Sequence, residues 1–259
     1  VRYQALGGSS DLARLRIAKS YEGRNAGQIA KDLAGEAGVA TGRIADGLDF
    51  PYLVLDGRRS AWDHLADLAL RSGFLATVSA EGKLDFGPPD TEPAATFTYA
   101  VDLLGLEMRE GAPPFAALAL SGDGAAGSQG QSAWGWLLKD PAAVQAEAGS
   151  GTPARALSDA ALKSTAAVRS AAANRLAASG RAAVRGRLLV PGSPDLRPGQ
   201  LVEVAAAPTP LSARYLVLGV RHRFSKREGF TTRLDVASAA AGGAGGPLGG
   251  ALGAVGGLL

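Results

Sequence analysis

Residues 215–236, YLVLGVRHRFSKREGFTTRLDV, alternate apolar and polar positions on both sides of a charged turn. A period of two is that of a β-hairpin, with one face for a core and one for solvent or a partner. Strict alternation puts Leu216, Leu218, Val220 and Phe224 on one face and Tyr215, Val217, Arg221 and Arg223 on the other. Two further strand patterns, RAAVRGRLLV and GQLVEVAAA, precede the hairpin, with Pro194, Pro198-Gly199, Pro208 and Pro210 at the corners. Short strands separated by regular turns predict a small β-barrel.

Upstream the period changes to that of helices. In RNAGQIAKDLAGEAG, residues 24–38, Ile29 and Leu33 stand four apart behind Asn25 as N-cap, with Gly38 as the stop. PYLVLDG reads as a buried strand. Ser60 then opens SAWDHLADLALRSG, where Trp62, Leu65, Ala66, Leu68 and Ala69 form an apolar stripe and Asp63 completes a capping box. FLATVSAEGKLDFGPP follows as a hairpin around Glu81-Gly82, so residues 20–93 are expected to form a small α/β module. ATFTYAVDLLGLEMREG and PFAALALSG are strand candidates, and a Gly/Ser/Gln-rich surface loop occupies 121–132. After it, Trp134 and Trp136 are expected to pack on something apolar.

Leu157, Ala161, Val168, Ala172 and Leu176 recur at helical spacing and predict one long Ala-rich helix over 155–179, ended by Gly180. At the N-terminus VRYQAL reads as a strand that stops at the turn-rich GGSSD, the expected last strand of a domain that starts before Val1 or is supplied by another chain. Residues 238–259 are Gly/Ala-rich and read as a flexible tail, because their glycine content opposes a spanning helix and no charged anchors flank them. No export signal is visible.

Composition narrows the function classes. Lys+Arg 27 against Asp+Glu 24 is a formal charge of +3, too even a balance to imply nucleic acid. With no cysteine, thiolate metal sites, disulfides and Cys nucleophiles are excluded. His64 and His222 stand in different modules without neighbouring ligands, the first expected on a solvated helix surface and the second at a core or barrel-end position. The pairs Asp46/Asp49, Asp85/Asp90 and Glu107/Glu110 read as solvated loop and strand-end residues, and the serine-rich runs lack the context of a nucleophile elbow. No enzyme, cofactor or metal is expected. The residues with binding chemistry are Arg221 and Arg223 on the hairpin and Lys226 and Arg227 in its turn, which suit an acidic partner surface because guanidinium forks bind carboxylates bidentately.

LRPGQLVEV followed by ARYLVLGVRHRFSKREGFTTRLDV resembles the closing segment of phage late control D proteins and the related baseplate hubs, VgrG-like, of contractile injection systems. The resemblance rests on Pro198-Gly199, Tyr215, Val220, His222, Phe224, Gly229, Phe230 and Thr232, and on YEGRNAGQIAKDLAGEAGV with FPYLVLDGRRSAWDHLADLALRSGFLATVSAEGKLDFGPP, which is similar to the inserted α/β region of that family. It implies an α+β fold of small tail-hub barrels with an inserted module. Residues 1–19 would end a first barrel that is mostly absent, 20–93 would be the insertion, 94–237 the second barrel with its long helix, and 238–259 the tail. It also implies a non-catalytic homotrimer that adapts a six-fold inner tube, or its initiator protein, to a three-fold spike beside other baseplate proteins. Such a subunit would be assembled in the bacterial cytoplasm without inserting into a membrane. Two alternatives are a tail-associated cell-wall hydrolase, which needs a convergent acid pair, and a carbohydrate- or peptidoglycan-binding module, which needs Trp134 and Trp136 as an exposed platform.

Overall fold

A computed structural model describes residues 7–124, 144–209 and 211–239. In chain order its elements begin with α1 (Gly8–Arg14), β1 (Lys19–Asn25), α2 (Ala26–Glu36), β2 (Thr41–Ile44), β3 (Asp49–Leu55) and α3 (Ala61–Ser72). Next come β4 (Leu75–Val78), β5 (Leu84–Gly87), β6 (Pro93–Thr98), β7 (Gly105–Glu110), β8 (Ala117–Ser121) and β9 (Gln145–Gly149). The last are β10 (Ala154–Ser158), α4 (Thr165–Arg181), β11 (Val184–Pro191), β12 (Leu201–Ala205), β13 (Ala213–Ser225) and β14 (Gly229–Ser238).

These elements form two compact units. The first takes the chain up to Pro88 together with Ala117–Ser150 and Ala154–Arg175, and the second takes Pro89–Ala116, Gly151–Pro153 and the chain from Leu176 on.

In the first unit both predicted helices start where their caps put them. Asn25 accepts from the Gln28 N–H at 2.8 Å while the Gln28 side chain accepts from the Asn25 N–H at 3.2 Å, and Ser60 and Asp63 make the same reciprocal pair at α3. Gly73, at φ 71°, ends α3 in the left-handed region that glycine enters without steric cost. The helices bury Ile29, Leu33, Leu65 and Leu68 with Phe50 and Phe86. β1 pairs antiparallel with β3, β5 lies between β2 and β4, and β8 lies between β10 and β9.

Four expectations change here. Gly8–Asp11 of GGSSD are in helix α1, behind an extended Gly7, and the helix buries Leu12. β3 alternates instead of burying both faces: Phe50, Leu53 and Leu55 are inside while Tyr52 and Val54 are exposed. The long helix begins at Thr165 instead of 155, because Ala154–Ser158 pairs with β8, and the Ser164 hydroxyl accepts from the Ala167 N–H at the true helix start. His64 is buried, since it shares the stripe of Ala61, Leu65 and Leu68, and its Nε2 donates to the Asp56 carbonyl at 3.0 Å.

The second unit is a six-stranded sheet in the order β6-β12-β13-β14-β11-β7. Only the β6–β12 pair is parallel. One face carries the core, with Leu188, Val190, Val202, Val204, Tyr215, Val217, Leu234 and Val236 all buried. A single sheet can bury that much of one face only by curling around it. The curl stops short of the closed barrel predicted from the sequence: among the described residues β6 and β7 remain edges, and Leu103 and Leu196 from connecting segments enter the core as well.

The facing predicted for the hairpin also changes. Register shifts between Val217 and Gly219, so Leu218 is an extra, half-exposed residue in a β-bulge. Tyr215 and Val217 face the core before it, and Val220 continues that face after it. Strict alternation counted Leu218 as a paired position and so placed Tyr215 and Val217 on the side of Arg221 and Arg223. The arginines do point away from the core.

Candidate partner-binding face

The face opposite the core is built by cross-strand register. Glu107, Arg187 and Asp235 stand side by side on β7, β11 and β14, with Arg187 3.8 Å from Glu107 and 3.5 Å from Asp235, while Arg109 reaches Glu107 at 3.1 Å. One step along the strands, Gly105, Leu189, Arg233 and Arg221 form the next row. Beyond it Pro191, Thr231 and Arg223 form a third, and Arg223 pairs with Glu228 at 3.0 Å.

The middle row is unbalanced. Arg221 and Arg233 are direct partners across the hairpin, and among the described residues neither has an ion pair. Like charges in that relation, with Cβ atoms roughly 5 Å apart, oppose strand pairing. The two arginines line an open groove of about 660 Å³ together with Arg187, Leu104, Leu106 and Leu189. Leu104 is 57 % exposed, so the groove offers aliphatic surface beside positive charge.

Of the predicted contact residues, Arg221 and Arg223 are brought together in this groove, whereas Lys226 and Arg227 sit exposed in the turn and do not line it. The sequence reading missed Arg187 and Arg233. Arg233 was available from the hairpin itself, since pairing Ser225 with Gly229 brings Arg233 opposite Arg221. Arg187 is brought in by the β11–β14 pairing, which no local pattern announces.

His222 is exposed, at the end of the core-facing row. Its Nδ1 lies 3.0 Å from Oγ1 of buried Thr232, which accepts from the Ser193 N–H, and its ring packs 5.8 Å from that of Phe230. The arrangement anchors the loop after β11.

The first unit holds two polar clusters. Lys19 and Tyr21 each donate to Asp32 at 2.6 Å, and Lys19 also reaches Glu36 at 3.0 Å. Burial and then the Asp32 hydrogen bond push the Tyr21 hydroxyl well above its ordinary range. In the second, Arg71 grips Asp159 with two bonds of 2.8 and 3.2 Å, and Arg175 adds a third at 2.7 Å. Burial pushes the Asp159 carboxyl upward, but the Arg71 hydrogen bond, the two guanidinium charges and the Ala161 N–H outweigh it and hold the group below the usual carboxylate range.

Among the described residues no three His, Asp or Glu side chains converge as metal ligands. Glu107 and Glu110 lie three apart on one strand and so point to opposite faces, with Glu107 held by arginines. Trp134 and Trp136, and the VRYQAL strand, lie outside the described residues. Among the described residues no helix is long and apolar enough to cross a membrane.

No protein-family model matches the sequence, and no curated protein does. Solved structures do match. The 43 kDa tail protein of prophage MuSo2 from Shewanella oneidensis is similar over 90 % of this chain and 72 % of its own length, with a TM-score of 0.68 at 16 % identity. A chain of the virion of a native gene transfer agent particle is similar over 85 % of this chain and 48 % of its own, with a TM-score of 0.62 at 19 % identity. The E. coli c3393 protein, a type VI secretion system component with structural similarity to T4 bacteriophage tail proteins gp27 and gp5, covers 88 % of this chain and 52 % of its own, with a TM-score of 0.52 at 13 % identity.

The chain thus has the fold of phage tail proteins, a mixed α/β fold dominated by sheet. The resemblance read in the closing hairpin points to the same group of structures.

Proposed function

We propose that this chain is a structural, non-catalytic subunit of a phage tail or contractile injection particle, and that within the particle it is a baseplate hub. In this role three copies form a ring that joins a six-fold inner tube, or its initiator, to a three-fold spike, with other baseplate proteins around it, and the ring assembles in the bacterial cytoplasm. The observation that carries the reading is the tail-hub-like fold over most of the chain. The second unit supports it: its apolar strand face is spent on its own core, and among the described residues the opposite face and the two sheet edges are uncovered, which suits contact with neighbours.

The test is the native mass of the protein, expressed with its flanking coding sequence, by light scattering and native mass spectrometry. A trimer that images as a ring with a central channel is the expected result. A monomer that stays monomeric with purified tube and spike proteins overturns the hub role.

A further inference from the structure

The groove around Arg221 and Arg233 has a chemistry that the fold does not use. The core is complete without it, because every core strand residue lies on the other face. Glu107 and Asp235 answer Arg187, and Glu228 answers Arg223. Arg221 and Arg233 are cross-strand partners that both line the groove, and among the described residues neither has an ion pair; exposed Leu104 and Leu189 line the groove with them.

We propose that this groove is a carboxylate receptor: it takes an extended segment of a partner protein, places one Asp or Glu side chain between Arg221 and Arg233, and lays a neighbouring aliphatic side chain on Leu104 and Leu189. Two guanidinium forks from adjacent strands offer more donors than a single carboxylate has lone pairs, so the anion is gripped in a fixed orientation. The leucines then read the residue beside it. Glu107 and Glu228 on the groove walls set the charge of the occupant. A nucleic acid, with a phosphate at every step, would meet them in repulsion, whereas one carboxylate fits between them. This deepens the assembly role proposed above only in taking the occupant to be a protein of the same particle.

The test uses the purified chain and two fluorescein-labelled peptides, one alternating leucine with glutamate and its twin with glutamine in place of glutamate, read by fluorescence polarisation. The glutamate peptide is expected to bind at least about tenfold more tightly than the twin, the cost of one lost charge-assisted contact. R221Q and R233Q should each weaken it by about tenfold, while R227Q in the turn changes it by less than about twofold. Thermal melts of the same variants, expected to be no lower than wild type, separate lost binding from lost folding. Equal binding of the two peptides, no binding of either, or unchanged affinity in the double variant R221Q/R233Q overturns the proposal. So does displacement of the peptide by an oligothymidylate of equal charge at a lower concentration, which would make the groove a phosphate site. Native mass with purified tube and spike proteins, measured separately, reports on the hub role: a chain that stays monomeric there but still prefers the glutamate peptide would refute the ring and keep the receptor.

Discussion

Replacing Asp159 by Asn tests whether the first unit is held by the charged cluster at the junction of β10, α3 and α4. Asp159 is 7 % exposed, and its partners Arg71 and Arg175 are 14 % and 19 % exposed at their side chains. Asn preserves the shape and one acceptor, so the Ala161 N–H can stay satisfied, but the charge is gone. Two largely buried guanidinium groups then face each other, and Arg175 already has a buried Nε without a hydrogen-bond partner. Breaking a buried ion pair by removing one member costs about 3–5 kcal/mol, and the residual exposure of both arginines points to the lower end, about 3 kcal/mol.

The loss is read by urea titration with amide hydrogen exchange at α3, which reports the first unit separately from the second. Its pH dependence has a defined sign. The folded carboxyl ionises more readily than the unfolded one, so its contribution is complete above the unfolded carboxylate pKa of about 4 and is lost as pH falls through the lower folded value. The gap between wild type and Asp159→Asn should be widest near pH 7 and close in acid. A gap below about 1 kcal/mol at pH 7, or one of constant size down to acid, would refute the reasoning.

Other substitutions probe other steps of the argument. Arg71→Lys keeps the charge but cannot make both bonds to Asp159, and should lose part of the same stability, about 1–2 kcal/mol, in the same urea assay. Ser60→Ala removes the cap of α3 and should cost about 0.5–2 kcal/mol, with faster amide exchange confined to the first turn of that helix. Gly186→Ala should cost about 1–3 kcal/mol in the second unit, because a Cβ there would overlap the Met108 sulfur and the Glu107 carbonyl oxygen, and the backbone oxygen cannot move aside as a side chain can. Arg233→Thr should raise the thermal stability of the second unit by the equivalent of about 0.2–1 kcal/mol by ending the repulsion with Arg221, and calorimetry would show the shift.

What could be read from the sequence was what is decided locally. Asn25 and Ser60 started helices because an N-cap needs only the next three residues, and Gly38 and Gly82 marked a helix end and a turn because their left-handed backbone is a local demand. The Ala-rich stretch failed for the opposite reason. Alanine has no face to speak of, so 154–158 fits a strand or a helix equally, and pairing with β8 decides it. The bulge at Leu218 was invisible to strict alternation, although Gly219 beside it is the kind of residue that accompanies one. For the groove, the sequence supplied Arg221 and Arg223 and held Arg233 in the hairpin register, whereas only the pairing of β11 with β14 and β7 supplied Arg187 and the leucines.

The Arg221–Arg233 pair then carries an argument that no single measurement does. A residue kept for folding loses stability when it is removed, and a residue indifferent to both folding and binding loses nothing. Here the physical expectation runs in opposite directions: neutralising Arg233 relieves a cross-strand repulsion and steadies the sheet, and the same change removes half of the anion grip in the groove. Opposite signs from one substitution exclude a structural role and a neutral one together. They leave the guanidinium pair as a feature that destabilises the free chain slightly and is relieved when a carboxylate enters between the two strands. Measured opposite signs would mark a surface that is more stable covered than free, as the proposed receptor requires.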